Sequence, residues 1–382
     1  MKFCSNRFTP AIAGLFMVCL GATALFGQAG TPAKGQTAGE VFKNVTTTPL
    51  KGLTVDDFMG SMGVMAAALG FDCADCHTGA GTDKVVWEDD TNRKKMARRM
   101  TEMVAGINKS YFGGAPMVSC WTCHHGKDVP ATTIALDNLY GPPNDEKDDV
   151  IAKDDTQPPA SQILDKYIAA MGGAAKLATL KSFIATGNQG GYVQVKGGGQ
   201  FEIFAKAPDK RTVRVTYKDA PDRGNQTRSF NGTIGWTTTP RALLGEYQVT
   251  GSELDGLHFD AELAFPGQIK QALTDLRVGF PDQVDGKDVV VVQGRGPRGL
   301  LVTLYFDKQT GLLVREIRFG RTPIGRVPSQ VDYSDYRDVN GIKFPFQYKF
   351  QWLDGRDTYQ LTDIKINVPI DDSWFGKPGL MK

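Results

Sequence analysis

Two pentads of this 382-residue chain, Cys73-Ala74-Asp75-Cys76-His77 and Cys120-Trp121-Thr122-Cys123-His124, share the pattern C-x-x-C-H. Two thiols three positions apart lie on one side of a helical turn. Each can add to a haem vinyl group while the next residue offers an imidazole to the iron from the same side. The pattern occurs twice in a chain with only 4 histidines. A single zinc ion is a poorer fit, because the pairs are far apart and each has its own adjacent histidine. A thioredoxin-like redox pair would need a βαβ context, which this region lacks. The spacing predicts two covalently bound haem c groups, with Cys73, Cys76, Cys120 and Cys123 as attachment points and His77 and His124 as proximal ligands.

Each iron then needs a sixth ligand or keeps an open position. Bis-histidine ligation of two haems would consume all 4 histidines, yet His125 adjoins His124 on the wrong side and His258 lies far downstream. Methionine remains. The segment Thr54 to Gly70 opens with a capping residue, carries Asp57 three positions on and ends at glycine, which reads as a helix with Phe58, Met62, Met65 and Leu69 along one stripe. A second helix, from Asn92 to Ser110, places Met96, Met100, Met103 and Ile107 on one face, with Arg93, Lys94, Arg98 and Arg99 largely opposite. A methionine stripe is ordinary core material, but the order of helix, turn and C-x-x-C-H recurs. The basic face suits either steering of an acidic redox partner or plain solvation.

The rest of the chain must position these groups. Residues 1–29 carry a short basic start, an apolar run and small residues, the pattern of a cleaved secretory signal; an uncleaved membrane anchor is the competing reading. Residues 30–52, rich in Gly, Thr and Pro, read as a flexible lead-in, and 53–130 as a helical di-haem domain. Residues 131–160 form a Pro-rich acidic linker. Residues 161–382 open with one helix and continue as short β-branched and aromatic segments separated by turn residues, which predicts an antiparallel sheet with one packed face and one wet face. The stretch 251–276 is helix-compatible and fit to cap a curved sheet. The fold class is thus α+β and multidomain, a small all-α di-haem domain followed by an antiparallel half-barrel with a helix. A net charge of +2 with both signs interspersed argues against nucleic acid as a partner.

The stretches Leu69-Gly70-Phe71-Asp72 before the first motif, Ala97-Arg98-Arg99-Met100-Thr101-Glu102-Met103 with Ile107-Asn108, and Val118-Ser119 before the second, taken with both motifs, resemble the cytochrome c subunit of photosynthetic reaction centres. The resemblance covers about residues 53–130. It implies a Met-bearing helix, a turn and a C-x-x-C-H helix for each haem, and it favours Met62 on the first haem and Met100 on the second. Met59 or Met65, and Met103 or Met96, are the respective alternatives. The sequence also departs from the family: it has two motifs where four haems are usual, the Tyr111-Phe112 region where the family has a further histidine, and His125 where arginine is common. The C-terminal part resembles periplasmic lipoprotein-carrier half-barrels, through turns such as Asp307-Lys308-Gln309-Thr310-Gly311. Trp236, Trp352 and Trp374 are candidates either to line an apolar cavity or to fill the sheet core.

The resulting expectation is an exported, periplasmic or extracytoplasmic di-haem cytochrome that passes single electrons to a redox partner protein, such as a membrane electron-transfer complex. It is a carrier and not an enzyme. A haem enzyme or gas sensor with an open iron is the alternative, as is a lipid- or lipoprotein-binding protein with auxiliary haems and an apolar ligand in its C-terminal part.

Overall fold

A computed structural model describes residues 35–82, 84–133, 141, 149–191, 198–217, 225–238, 244–353 and 355–380. The expected signal segment 1–29 and most of the acidic stretch 134–148 lie outside the described residues. Among the described residues no helix is long and apolar enough to cross a membrane.

The motif-bearing region is helical, with α1 (Ala38–Val41), α2 (Thr48–Lys51), α3 (Val55–Leu69), α4 (Cys73–Cys76), α5 (Asn92–Tyr111) and α6 (Cys120–His124). Helix α3 follows its sequence signals closely. The Thr54 hydroxyl accepts from the Asp57 amide, and Gly70 closes the helix in the left-handed region at φ 68°. The expected flexible lead-in needs correction: Ala38 and Leu50 are buried and pack with Phe58 against Phe42, Met62 and Met65. Four apolar side chains in residues 38–50, Ala38, Phe42, Val45 and Leu50, supply the burial that fixes two short helices where composition alone reads the chain as loose.

After α7 (Ala160–Ala170) and α8 (Ala174–Leu177), the chain forms β1 (Ser182–Gly191), β2 (Gly199–Lys206), β3 (Lys210–Thr216), β4 (Gln226–Asn231), β5 (Gly235–Thr238) and β6 (Glu246–Val249). Helices α9 (Gly251–Leu263) and α10 (Ile269–Ala272) follow, then β7 (Thr274–Val278), β8 (Asp282–Val284), β9 (Lys287–Arg295), β10 (Leu301–Asp307), β11 (Leu313–Thr322), β12 (Gly325–Val339), β13 (Ile342–Trp352) and β14 (Gly355–Ile366). All belong to one antiparallel sheet in the order β6-β5-β4-β3-β2-β1-β14-β13-β12-β11-β10-β9-β7, with β8 beside β9. The first and last strands in sequence therefore meet at the centre, and the two arms run outward from them. Helices α7 to α10 cover the inner face, where Leu164, Tyr167, Phe183, Phe201, Phe259 and Phe306 are buried in the main core.

The outer face is less wet than alternation predicts. Trp374 stacks on Phe204 at 4.3 Å, Phe375 is fully buried, and the Thr212 hydroxyl donates to the Trp374 carbonyl at 2.7 Å. The chain's last segment thus covers the outside of β2 to β4. Strand β12 was not legible in the sequence. Its run GRVPSQVDYSDYRDV is largely polar and contains Pro328, yet it pairs with β11 and β13 along both edges. The C-terminal end of the acidic stretch is likewise tied to the sheet, with the Asp154 amide donating to the Val278 carbonyl at 2.9 Å and Gln293 donating to the Asp149 carbonyl at 2.7 Å.

Candidate functional site

The first motif is a single helical turn held from both ends. Asp72 caps α4 by accepting from the Ala74 and Asp75 amides at 2.7 and 3.2 Å, and the Asp75 carboxylate accepts from the Asp72 amide at 3.0 Å. Arg93 bonds the Asp75 carboxylate and carbonyl at 2.7 and 2.8 Å, with its guanidinium 4.4 Å from the Phe71 ring centroid. Thr91, which caps α5, donates to the Cys76 carbonyl at 3.1 Å. His77 is half-buried, its ring edge-on to Trp87 at 5.1 Å. Burial first, and the Lys94 charge second, lower its pKa, so the imidazole is neutral at neutral pH and keeps a lone pair to offer. Its Nδ1 is buried without a hydrogen-bond partner.

The second motif is fixed by different neighbours. Ser119 caps α6 through the Thr122 amide, and the Cys120 amide donates to the Ile324 carbonyl at 3.1 Å, tying the motif to the turn between β11 and β12. Asn108 of α5 clasps Val118 from both sides, at 2.7 and 2.8 Å. The His124 ring places Nδ1 2.9 Å from the Lys127 carbonyl. This contact orients the ring and presents its other nitrogen, the arrangement that ligating histidines adopt. His125 is exposed in a left-handed conformation with its ring beside Trp121. The Gly126 amide then donates to the Ala68 carbonyl, so the two motif regions touch at Gly70, where a Cβ would meet the Gly126 carbonyl oxygen at 2.4 Å.

The four motif cysteines form no disulfide. Burial pushes the Cys120 thiol up to about 11 and also raises Cys76. Neither has the lowered pKa that a redox-active nucleophile needs. Among the described residues no three His, Cys, Asp or Glu side chains converge as a metal cluster.

One cavity of about 1520 Å³ gathers most of the candidate groups: Cys73, Cys76, His77, Cys120 and His124 line it. Cys123 is exposed and outside the lining. From α3 come Met59, Met62 and Met65, and from α5 come Met96 and Met100. Met62, Met65 and Met100 are half-buried, whereas Met59 is 40%, Met96 50% and Met103 46% exposed. Met103 is not part of the lining. Of the three tryptophans considered, Trp352 reaches the cavity, while Trp374 lies on the outer face and Trp236 sits beside Lys377. The basic face of α5 is largely matched internally: Arg93 pairs with Asp75, Lys95 and Arg98 with Asp90, and Lys94 donates to the Trp87 and Asp89 carbonyls. The Trp87 and Lys94 contacts with His77 carry no sequence signal. The Asp72 cap, directly before the motif, does.

The first region is similar to known cytochromes. Residues 24–164 match the family model described as photosynthetic reaction centre cytochrome C subunit. A photosynthetic reaction center cytochrome c subunit from Roseobacter denitrificans is 34% identical over 101 residues, 25% of this chain and 26% of that protein. The chain therefore spans about a quarter of the curated relative it matches. These matches bear out the resemblance carried by the two motifs. Among solved structures, a DUF1329 family protein from Desulfovibrio piger is 13% identical at a TM-score of 0.40, covering 59% of this chain and 100% of that one. A LolA superfamily protein from Nitrosomonas europaea is 15% identical at a TM-score of 0.39, with the same coverage.

Proposed function

We propose that this protein is an extracytoplasmic di-haem c-type cytochrome that passes single electrons to a partner protein, such as a membrane electron-transfer complex. The observation that carries this reading is the convergence of both C-x-x-C-H turns and both methionine-bearing helices on one cavity. Cys73 and Cys76 would hold one haem, and Cys120 and Cys123 the other. His77 and Met62 would hold one iron, and His124 and Met100 the other. Bound haem supplies a one-electron ferric/ferrous couple.

The chain's own residues set the properties of that couple. Thioether ligation favours the ferrous state relative to a second imidazole. The half-buried Met62 and Met100 suit this role better than the more exposed Met59, Met96 and Met103. Phe58 and Leu50 pack behind Met62 and limit water at the first site, which also favours the less charged state. The Lys127 carbonyl orients His124, and the Asp72 and Ser119 caps hold each pair of thiols on one turn. Two protein ligands on each iron would leave no position for a substrate, which is the property of a carrier.

Carbon monoxide added to the reduced protein at neutral pH tests this. An unchanged spectrum is the expected result. A full shift of either haem would replace the carrier with an open-iron enzyme or sensor.

A further inference from the structure

The cavity does not end at the haem motifs. It continues into the concave face of the sheet, walled by Phe183, Ile203, Val213, Phe344 and Leu361, with Tyr348 on the same surface. At about 1520 Å³ it is larger than the ~300–1,000 Å³ typical of small-molecule pockets, so haem attachment at one end leaves a second, apolar end to be explained. That end contains a built polar patch. Asp260 of α9 accepts from Arg318 at 2.5 Å and lies 3.9 Å from Arg211, and Arg228 pairs with Glu253 at 2.6 Å. Glu316 behind them is fully buried and bonded to the Tyr333 hydroxyl at 2.9 Å.

The charge count selects the ligand. Arg211, Arg228 and Arg318 are matched by Glu253, Asp260 and Glu316. A phosphate or carboxylate headgroup would need surplus cationic donors, and none is present in this patch. The wall therefore fits a molecule with an apolar tail and a neutral ring or headgroup that both donates and accepts hydrogen bonds. Its continuity with the His77 and His124 end adds a second requirement, since a ligand held there lies in the same cavity as the proposed electron acceptors.

We propose that the sheet end of the cavity binds a neutral quinol or quinone with an apolar tail. This rests on the di-haem reading only for its redox step. In that step a quinol loses two O–H protons and two electrons and becomes the quinone. The two electrons would go one each to the two ferric haems of the proposed function. The protons pass to the carboxylates of the patch and on to water.

Binding is tested by calorimetry of the oxidised holoprotein with decyl-ubiquinone, where no electron can move, so the result does not depend on activity. One quinone per chain is expected, with binding at least tenfold weaker for palmitate. Ala264→Trp, at a half-buried lining position, should weaken quinone binding tenfold or more while leaving reduction by dithionite unchanged. Val213→Phe serves if the first variant loses its far-ultraviolet dichroism. Absence of binding, or palmitate binding as tightly as the quinone, overturns the proposal, and the second result makes the cavity a lipid site. Decyl-ubiquinol should then reduce both haems of the wild type. Quinone binding to a chain whose mass shows no haem would keep this site and discard the di-haem reading, so the two failures are distinguishable.

Discussion

The two C-x-x-C-H turns are capped alike at their N-terminal ends and have quite different support. The first is held within the helical region, by Arg93 on Asp75, Thr91 on the Cys76 carbonyl and Trp87 beside His77. The second depends on the sheet, through the Cys120 amide on the Ile324 carbonyl, with Val64 of α3 in contact with Gly325. The sequence motif specifies the chemistry of a single turn. The tertiary surroundings decide how rigidly each turn is held, and they differ because one motif follows the helix that faces it while the other docks on a β-turn about two hundred residues away in sequence.

The largest effects should come from the motifs themselves. Cys120→Ala with Cys123→Ala should lower the haem count from two to one with the first site intact, and Cys73→Ala with Cys76→Ala should do the converse. Denaturing mass spectrometry reads both. If either pair removes both haems, the sites are not independent. Next come the sixth ligands. Met62→His and Met100→His should each lower one midpoint potential, by on the order of 0.1 V of the ~0.8 V range that axial ligands span. Potentiometry that finds both potentials unmoved would assign ligation to neighbouring methionines.

The junction between the sites is the next place to break. Gly70→Ala puts a side chain at φ 68° and within 2.4 Å of the Gly126 carbonyl oxygen, which should cost about 2 kcal/mol or more in chemical unfolding. A smaller effect attends Asp56, buried at the start of α3, where it accepts from the Tyr247 hydroxyl and from both the Thr250 amide and hydroxyl at 2.6–2.9 Å. Burial raises its pKa to about 6. An acid raised above its unfolded value of about 3.9 binds its proton more tightly when folded. Its contribution therefore favours the fold most below that unfolded value and is lost as the pH rises through 6. Asp56→Asn should flatten this part of the pH dependence of stability between about pH 4 and 6. Smallest is Arg93→Ala. Its pair with Asp75 is about half exposed, and surface pairs contribute ~0–1 kcal/mol, so haem loading at the first site should survive.

Much of this was legible in the sequence because local signals act locally. Thr54, Asp57 and Gly70 bounded α3 to the residue, and the β-branched segments around Thr212 and Val290 located strands. Strand β12 was hidden by its polar residues and Pro328, since its pairing partners supply what its composition lacks. The order of the lead-in is not legible because Ala38 and Leu50 acquire their buried environment from Phe58, Met62 and Met65, on a helix that follows them in sequence. At the site, the cysteines and histidines were readable from spacing. The contacts of Trp87, Lys94 and Ile324 were not, because they come from loops and a strand turn that no motif announces. The continuity of the cavity into the sheet could not be read either, as it depends on how α3 docks on β11 and β12.

The central claim is tested most directly by the intact mass of the protein exported from cells that carry the c-haem attachment machinery. The account predicts two covalently bound haems per chain. A chain mass with none would contradict it, and would leave the paired cysteines without the chemistry assigned to them.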